Sequence, residues 1–479
     1  MGILFAAPNS TACDSNQLNQ QFKQYNPIGG TNHVILDKGK SLKKQIILKN
    51  TIYDIYDDFD LMGTTIQVPE GSTLNFKGGT ISNGKLVGAN TRIVAPFGRI
   101  FQANVSFGGK FLSDFIRMAW WGTMNANDNT QEVQSALDAI YFFVNRNFVF
   151  DMPVRITDIS YADKYCPGTS FSGVSNSHQN NCAITVFGND SHGLDISGTE
   201  ILQFSNILFL GDEKSAPNSL LYASRSDINK QCNKHCFNNV VFRGEVTNAF
   251  AYNYGGEEWT FTNCEFHYSG EKRLTAMYYA TSINSSSSES KFVKTEKKVT
   301  SLTRSVFNQC QFYNTSTNPS VYFEGGINKT GYILNIASVY FNQCYFKSAK
   351  GTSVLFKEIQ GNISFINNVD ESGSTNNFTR SNAFYVIEGN TKVDGLIFLN
   401  NTFYCKKNTP ILNASANVEN YYASSNKVIN SGAIWIFKNL TIGNHVGLSS
   451  RERFVVEGKA SKVEVKNNDG QVSNVSVEK

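Results

Sequence analysis

Hydrophobic and polar positions alternate in short bursts along most of this chain, and one burst recurs. A six-residue phrase reads FSNILF at Phe204, FNNVVF at Phe237, FTNCEF at Phe261, FNQCQF at Phe307 and FNQCYF at Phe341, with looser copies at Phe365 and Phe398. Within it the period is two, so Cys264 with Phe266, Cys310 with Phe312 and Cys344 with Phe346 share an inward face, while the residue between each pair points away. The steps between copies are 33, 24, 46, 34, 24 and 33 residues. Two sit near a repeat in the low twenties, three look like that repeat plus a loop, and 46 looks like its double. A propeller blade repeats at roughly 40–45 residues, so the short steps point instead to a solenoid of single coils. The third-position amides (Asn206, Asn239, Asn263, Gln309, Gln343, Asn367 and Asn400) are expected to stack as a hydrogen-bonded ladder, coil upon coil, about 4.8 Å apart.

Upstream, Thr65 to Ile93 gives short alternating strands broken by Glu70-Gly71, Gly78-Gly79, Asn83-Gly84 and Gly88, a spacing that suits tight coils. Between the two arrays, Asp128-Asn129-Thr130 supplies a helix start, and Val133, Leu137, Ile140 and Val144 follow the helical period. Such a helix is expected to cap an open end of the stack. At the other end, alternation around Asp469-Gly470 predicts a terminal β-hairpin over 451–479. The sequence therefore predicts an all-β, right-handed, single-stranded parallel β-helix with one capping α-helix and a small C-terminal hairpin. Its expected divisions are an arm (1–30), an N-terminal β-helix or attachment region (31–118), a linking segment with the helix (119–145), the main β-helix (146–450) and the cap. The polar tract from Thr281 to Lys298 reads as a long loop or an excursion from the stack.

Composition narrows the function. The 479 residues carry 43 Lys and Arg against 39 Asp and Glu, a net +4 with no concentrated basic field, so no nucleic-acid partner is expected. No apolar run reaches the roughly 18 residues of a membrane span, so no membrane insertion is expected. Ile3 to Ala7 has no basic residue ahead of it and is shorter than the roughly 7–15 residues of a signal core; synthesis without a signal peptide, in a host cytoplasm, follows as an expectation. The nine cysteines form no dense framework and read as reduced and buried. Cys232, His235 and Cys236 lack a second ligand pair at zinc spacing, so no metal and no cofactor is expected.

Trp120-Trp121-Gly122, Asp128-Asn129-Thr130 and Gln134 to Leu137 resemble the opening segment of pectate-lyase-like right-handed β-helices, a segment that begins many phage tailspikes. The family's doubled Asp before Thr130 is here Asp128-Asn129. The stretch from Asn50 to Leu61, then Thr65 to Gly84, looks like the β-helix tail proteins of phages infecting Bacteroides, including crAss-like phages. The resemblance implies a trimeric tail fibre or tailspike in the virion, in contact with other tail proteins and with host surface polysaccharide.

Proteins that this resemblance brings in are often polysaccharide hydrolases or lyases, which makes carboxylates near glycine candidates for catalysis. Glu257 and Glu258, Glu324, Glu358 and Glu388 are the candidates, since paired carboxylates cleave glycosidic bonds. Repeated outer positions of adjacent coils reach the same separations without any catalytic role. His178, His192, His235 and His267 are scattered, and no lyase constellation of cations can be placed. Tyr254, Trp259 and Tyr322, with Tyr252, Tyr278, Tyr279, Tyr421 and Tyr422, are candidate sugar platforms; core packing or subunit contact is the competing reading. Three functions stand: a receptor-binding tail component, a depolymerase on the same scaffold, and a surface lipoprotein adhesin anchored through Cys13.

Overall fold

The structure is a computed structural model. It describes residues 32–123, 126–164, 166–174, 182–224, 232–254, 256–268, 275–280, 304–324, 326–327, 333–334, 338–348, 351–372, 383–389, 392–406, 409–429, 432–450, 452–467 and 476–477. The arm, the 281–298 tract, the Asp469-Gly470 turn and His178 lie outside them. The chain forms two compact units, one of residues 1–114 with 142–145, the other of 115–141 with 146–479.

In the first unit, β1 (Asn32–Ile35), a one-turn helix α1 (Leu42–Gln45) and β2 (Thr51–Ile55) make the first coil. Thr73–Phe76, Gly84–Val94 and Val105–Leu112 add in parallel. Ile52 faces Thr73, Thr73 faces Arg92 and Gly84 faces Val105, so each coil takes only 19 to 21 residues. Turns this tight need left-handed backbone. Gly71 has φ +69°, and a Cβ there would lie 2.2 Å from Asn50 Oδ1 in the coil below. Phe76, Phe101, Phe107 and Phe111 fill the interior edge to face, with centroids 5.0 to 5.4 Å apart.

The second unit is a parallel β-helix of three sheets. Sheet A runs through Leu194–Asp195, Ser219–Ser224, Ala249–Tyr254, Thr275–Ala280, Val321–Glu324, Val354–Lys357 and Tyr385–Glu388. Sheet B carries the repeated phrase, and sheet C is a ten-stranded stack from Val154–Ile156 to Lys427–Ile429. The seven phrase-opening phenylalanines pair in strict register, Phe204 with Phe237 and on to Phe398. Their rings stack at 4.5 to 5.2 Å. A second buried row, Phe209, Phe242, Phe266, Phe312 and Phe346, stacks at 4.9 to 5.3 Å. Because Phe261 pairs directly with Phe307, the 46-residue step is one long coil and not two; the surplus lies between Phe261 and Phe307.

Helix α2 (Thr130–Ile140) closes the open edge at the start of this unit. Its start and first turns supply side chains to strands that have no preceding coil. Asn129 Oδ1 accepts from Arg155 N–H at 3.2 Å, Thr130 Oγ1 from Thr157 N–H at 2.9 Å, and Gln134 bonds both N–H and C=O of Ser160 at 2.7 and 3.0 Å. These are the backbone groups that an uncapped edge would leave available for promiscuous pairing. Val133, Leu137 and Ile140 are buried as expected, but the helix ends at Ile140 and Val144 is 48% exposed.

Two further expectations are corrected. The third-position amides are on the outside and, except for Asn239, exposed; each has φ between +53° and +56° and makes the corner from sheet B to sheet C. Among these seven, an amide-to-amide bond joins Asn239 Nδ2 to Asn206 Oδ1, at 2.7 Å. Amides suit the position because Asn tolerates left-handed backbone. The C-terminal hairpin is absent among the described residues. Glu452–Val456 and Ala460–Asn467 both run parallel to Ala433–Leu448, and Ser476–Val477 runs parallel to Glu452–Val456. The alternation that suggested a hairpin serves equally well for further coils, because both present one face inward with period two.

Candidate functional site

Sheet A gathers the chemistry on its outer face. Leu221 and Ala223, like Ala251 and Asn253, are buried, so Tyr222 and Tyr252 between them point outward. Register places Asp195, Tyr222, Tyr252, Tyr278 and Tyr322 in one column over five successive coils. The next column holds Glu324, Lys357 and Glu388.

The rings of Tyr222 and Tyr252 stack at 5.6 Å with 17° between planes, and His192 lies 4.5 Å from Tyr222. Rings stacked along the axis cover one another's faces, so Tyr222 and Tyr252 present phenol edges rather than a flat platform. His192 Nδ1 is 3.1 Å from Ser219 Oγ, and its backbone N–H donates to Asp158. Burial raises the Asp195 carboxyl above its usual range, against two bonds from Ser197.

At the far end Lys357 Nζ lies 3.5 Å from Glu324 Oε1. Burial, then the neighbouring carboxylates of Glu324 and Glu388, raises the Tyr322 hydroxyl and keeps it a neutral donor. Glu358, at φ +50°, donates its backbone N–H to Glu388 O. Its carboxylate lies against Gly389, where a Cβ would meet the carboxylate atoms at 2.5 to 2.7 Å. Glu324, Glu358 and Glu388 are thus brought onto one face of adjoining coils. Glu324 and Glu388 are two coils apart, about 10 Å at the usual strand spacing. Glu258 stands apart, two coils earlier, in a left-handed corner (φ +56°) before Trp259–Thr262.

The aromatic candidates divide. Trp259 is fully buried, donates Nε1–H to Cys232 O at 3.0 Å and packs on His235 and Phe237, so it cannot contact a glycan. Tyr421 is also core, 3.0 Å from His445 Nδ1. Tyr322 is half-buried on the outer face and Tyr422 is exposed. The side chains of Tyr254, Tyr278 and Tyr279 lie outside the described residues. Sequence reasoning missed Tyr222 and Lys357, and it left His192 among scattered histidines without seeing it at the head of the tyrosine column. The parity of Leu221 and Ala223 around Tyr222 was the available signal, and the same parity of Trp259 with Phe261 would have placed Trp259 in the core rather than among the sugar platforms.

Cys232 and His235 do meet, inside the core. His235 Nδ1 accepts from Leu202 N–H and Nε2 is 3.4 Å from Cys232 Sγ; burial pushes the imidazole down to about 3 and the thiol up. Cys236 turns to the exposed side of its strand. Among the described residues no group of three or more His, Cys, Asp or Glu could hold a metal ion.

The fold and this face define the class, a parallel β-helix with outward tyrosines on sheet A. No family model matches the chain, and no curated protein matches it. Two solved structures are similar to it. One is full-length tailspike protein 2 from Escherichia coli O157:H7 bacteriophage CAB120, at 11% identity and TM-score 0.36, over 69% of this chain and 42% of that one. The other is DFA-IIIase from Arthrobacter chlorophenolicus A6 in complex with GF2, at 9% identity and TM-score 0.30, over 76% and 90%. The chain thus spans less than half the tailspike's length.

Proposed function

We propose that this protein is a glycan-binding component of a phage tail, a fibre or spike subunit that acts as a homotrimer in the virion, and that the outer face of sheet A reads host surface polysaccharide. The observation that carries the binding role is the tyrosine column beside Glu324, Lys357 and Glu388. Phenol, carboxylate and ammonium groups at coil spacing offer an extended chain of hydroxyls repeated donors and acceptors. The tail assignment is supported by the sequence resemblance at residues 50–84 and 120–137. The test is binding of purified protein to capsular polysaccharide from candidate hosts. Replacing Tyr222 and Tyr252 by Phe keeps the stacking and removes the hydroxyl row; it is expected to weaken binding about tenfold or more, at about 1 kcal/mol per lost hydrogen bond. Unchanged binding by the Phe variants would sink the reading.

A depolymerase is the second reading, favoured by the placement of Glu324 and Glu388. Their separation of about 10 Å approaches the roughly 6.5–9.5 Å at which one carboxylic acid protonates the leaving oxygen while the other activates water. New reducing ends lost in Glu324→Gln and Glu388→Gln would establish it.

A further inference from the structure

We propose that the open edge of β1 is a docking site for an extended, acidic segment of a partner protein. This stands apart from the glycan reading and concerns the first unit alone. β1 bonds β2 on one side, and among the described residues no strand lies on its other side. Leu36 donates its N–H to Asp54 O at 3.1 Å, on the β2 side. By strand alternation the N–H and C=O groups of His33 and Ile35 face the open side.

Apolar surface accompanies these groups. Ile35 is 68% exposed, and in the same first coil Ile47 is 64% and Leu48 48% exposed. β1 has neither the Pro nor the Lys that commonly protects a free edge. The second unit treats its own first edge differently, spending Asn129, Thr130 and Gln134 on it. An edge that no described residue caps, with apolar residues in the same coil, matches strand addition, in which backbone bonds give affinity and alternate side chains give selectivity.

Charge selects the partner's chemistry. Lys40 pairs with Asp37 at 3.1 Å and Lys49 with Glu70 at 3.2 Å. Lys38, Lys43 and Lys44 are exposed with no ion pair among the described residues. Three exposed ammonium groups in the coil that β1 opens fit a strand that alternates apolar and acidic residues.

The probe is a labelled heptapeptide alternating valine and glutamate, titrated into the full chain. Saturable binding is expected, weakening about tenfold or more in Lys43→Glu/Lys44→Glu and at raised salt, while Lys438→Glu leaves it unchanged. The peptide should also slow amide exchange at His33 and Ile35 in the unaltered protein, a readout that needs no variant to fold. Ile35→Pro, which removes one outward donor, should abolish binding without moving the main thermal transition. The proposal is overturned if no saturable binding reaches the intact chain, including because its own leading segment covers the edge. It is equally overturned if binding ignores Ile35→Pro, or if a concentration-dependent dimer lost in Ile35→Pro shows that a second copy occupies the edge.

Discussion

Removing one side chain from the buried asparagine row should cost more than any surface change on this protein. At the fourth position of the phrase the inward residue is Ile207, Val240, then Cys264, Cys310, Cys344, and finally Asn368 and Asn401, continued by Asn426. Asn401 Oδ1 accepts from Asn368 N–H at 2.9 Å and from Asn368 Nδ2 at 3.0 Å. Its Nδ2 donates to Phe365 O at 2.9 Å and to Asn426 Oδ1 at 3.0 Å. Asn401→Ala deletes these four bonds and strands two buried donors of Asn368, at about 1–3 kcal/mol each. The expected loss is about 4 kcal/mol. For a unit of about 360 residues with roughly 2.1 cal/mol/K of unfolding entropy per residue, this lowers the melting temperature by about 5 °C. Asn401→Cys should fall between parent and Ala. Cys344, one coil pair earlier, donates its thiol to Phe307 O at 3.4 Å just as Asn401 donates to Phe365 O, but a thiol gives Asn368 only a weak acceptor. Equilibrium denaturation after long incubation measures both variants. A loss under about 1 kcal/mol for Ala, or a Cys variant no better than Ala, would refute the reasoning.

Four other outcomes follow. Burial raises Asp370 to about 6 and lowers His445 to about 4. The folded form holds Asp370's proton more tightly than the unfolded chain, so this residue's contribution falls as pH rises from about 4 to 6; Asp370→Asn should gain up to about 3 kcal/mol relative to parent between pH 4 and 7. His445 has the opposite sign, its contribution lost as pH falls below about 6.5, and denaturation curves of His445→Gln across that range should lose the dependence. Among the eight described thiols only Cys236 should react with a disulfide reagent in the native state, while Cys264, Cys310 and Cys344 react at the rate of unfolding. Ile201, a β-branched residue at φ +55°, is strained, and Ile201→Asn should raise the melting temperature by an amount equivalent to about 1 kcal/mol; a decrease would mean that its packing outweighs the strain.

Much of the fold was legible because a solenoid writes its register into its sequence. The seven phenylalanines that recur in the phrase are the seven that stack, and the parity of Cys310 and Phe312 assigned both to the core. Corners were less legible. Asn and Gln at the third position suggest a continuous hydrogen-bonded ladder as readily as a left-handed turn, and only backbone angles and amide partners separate the two. Val144 continued a helical period that the chain abandons at Ile140, since periodicity carries no stop signal. The site was legible in part: Glu324, Glu358, Glu388 and Tyr322 converge, but their convergence depends on loop lengths between coils. Tyr222 and Lys357 join them only once those lengths are resolved into register.

The central claim is that sheet A's outer face holds the glycan. Amide exchange of the intact protein with and without a bound host polysaccharide tests it directly. The account predicts slowed exchange confined to Ser219–Ser224, Ala249–Tyr254, Thr275–Ala280, Val321–Glu324, Val354–Lys357 and Tyr385–Glu388 and to the turns that join them to sheet B. Protection concentrated on sheet C, or no protection with a polysaccharide that binds, would contradict it.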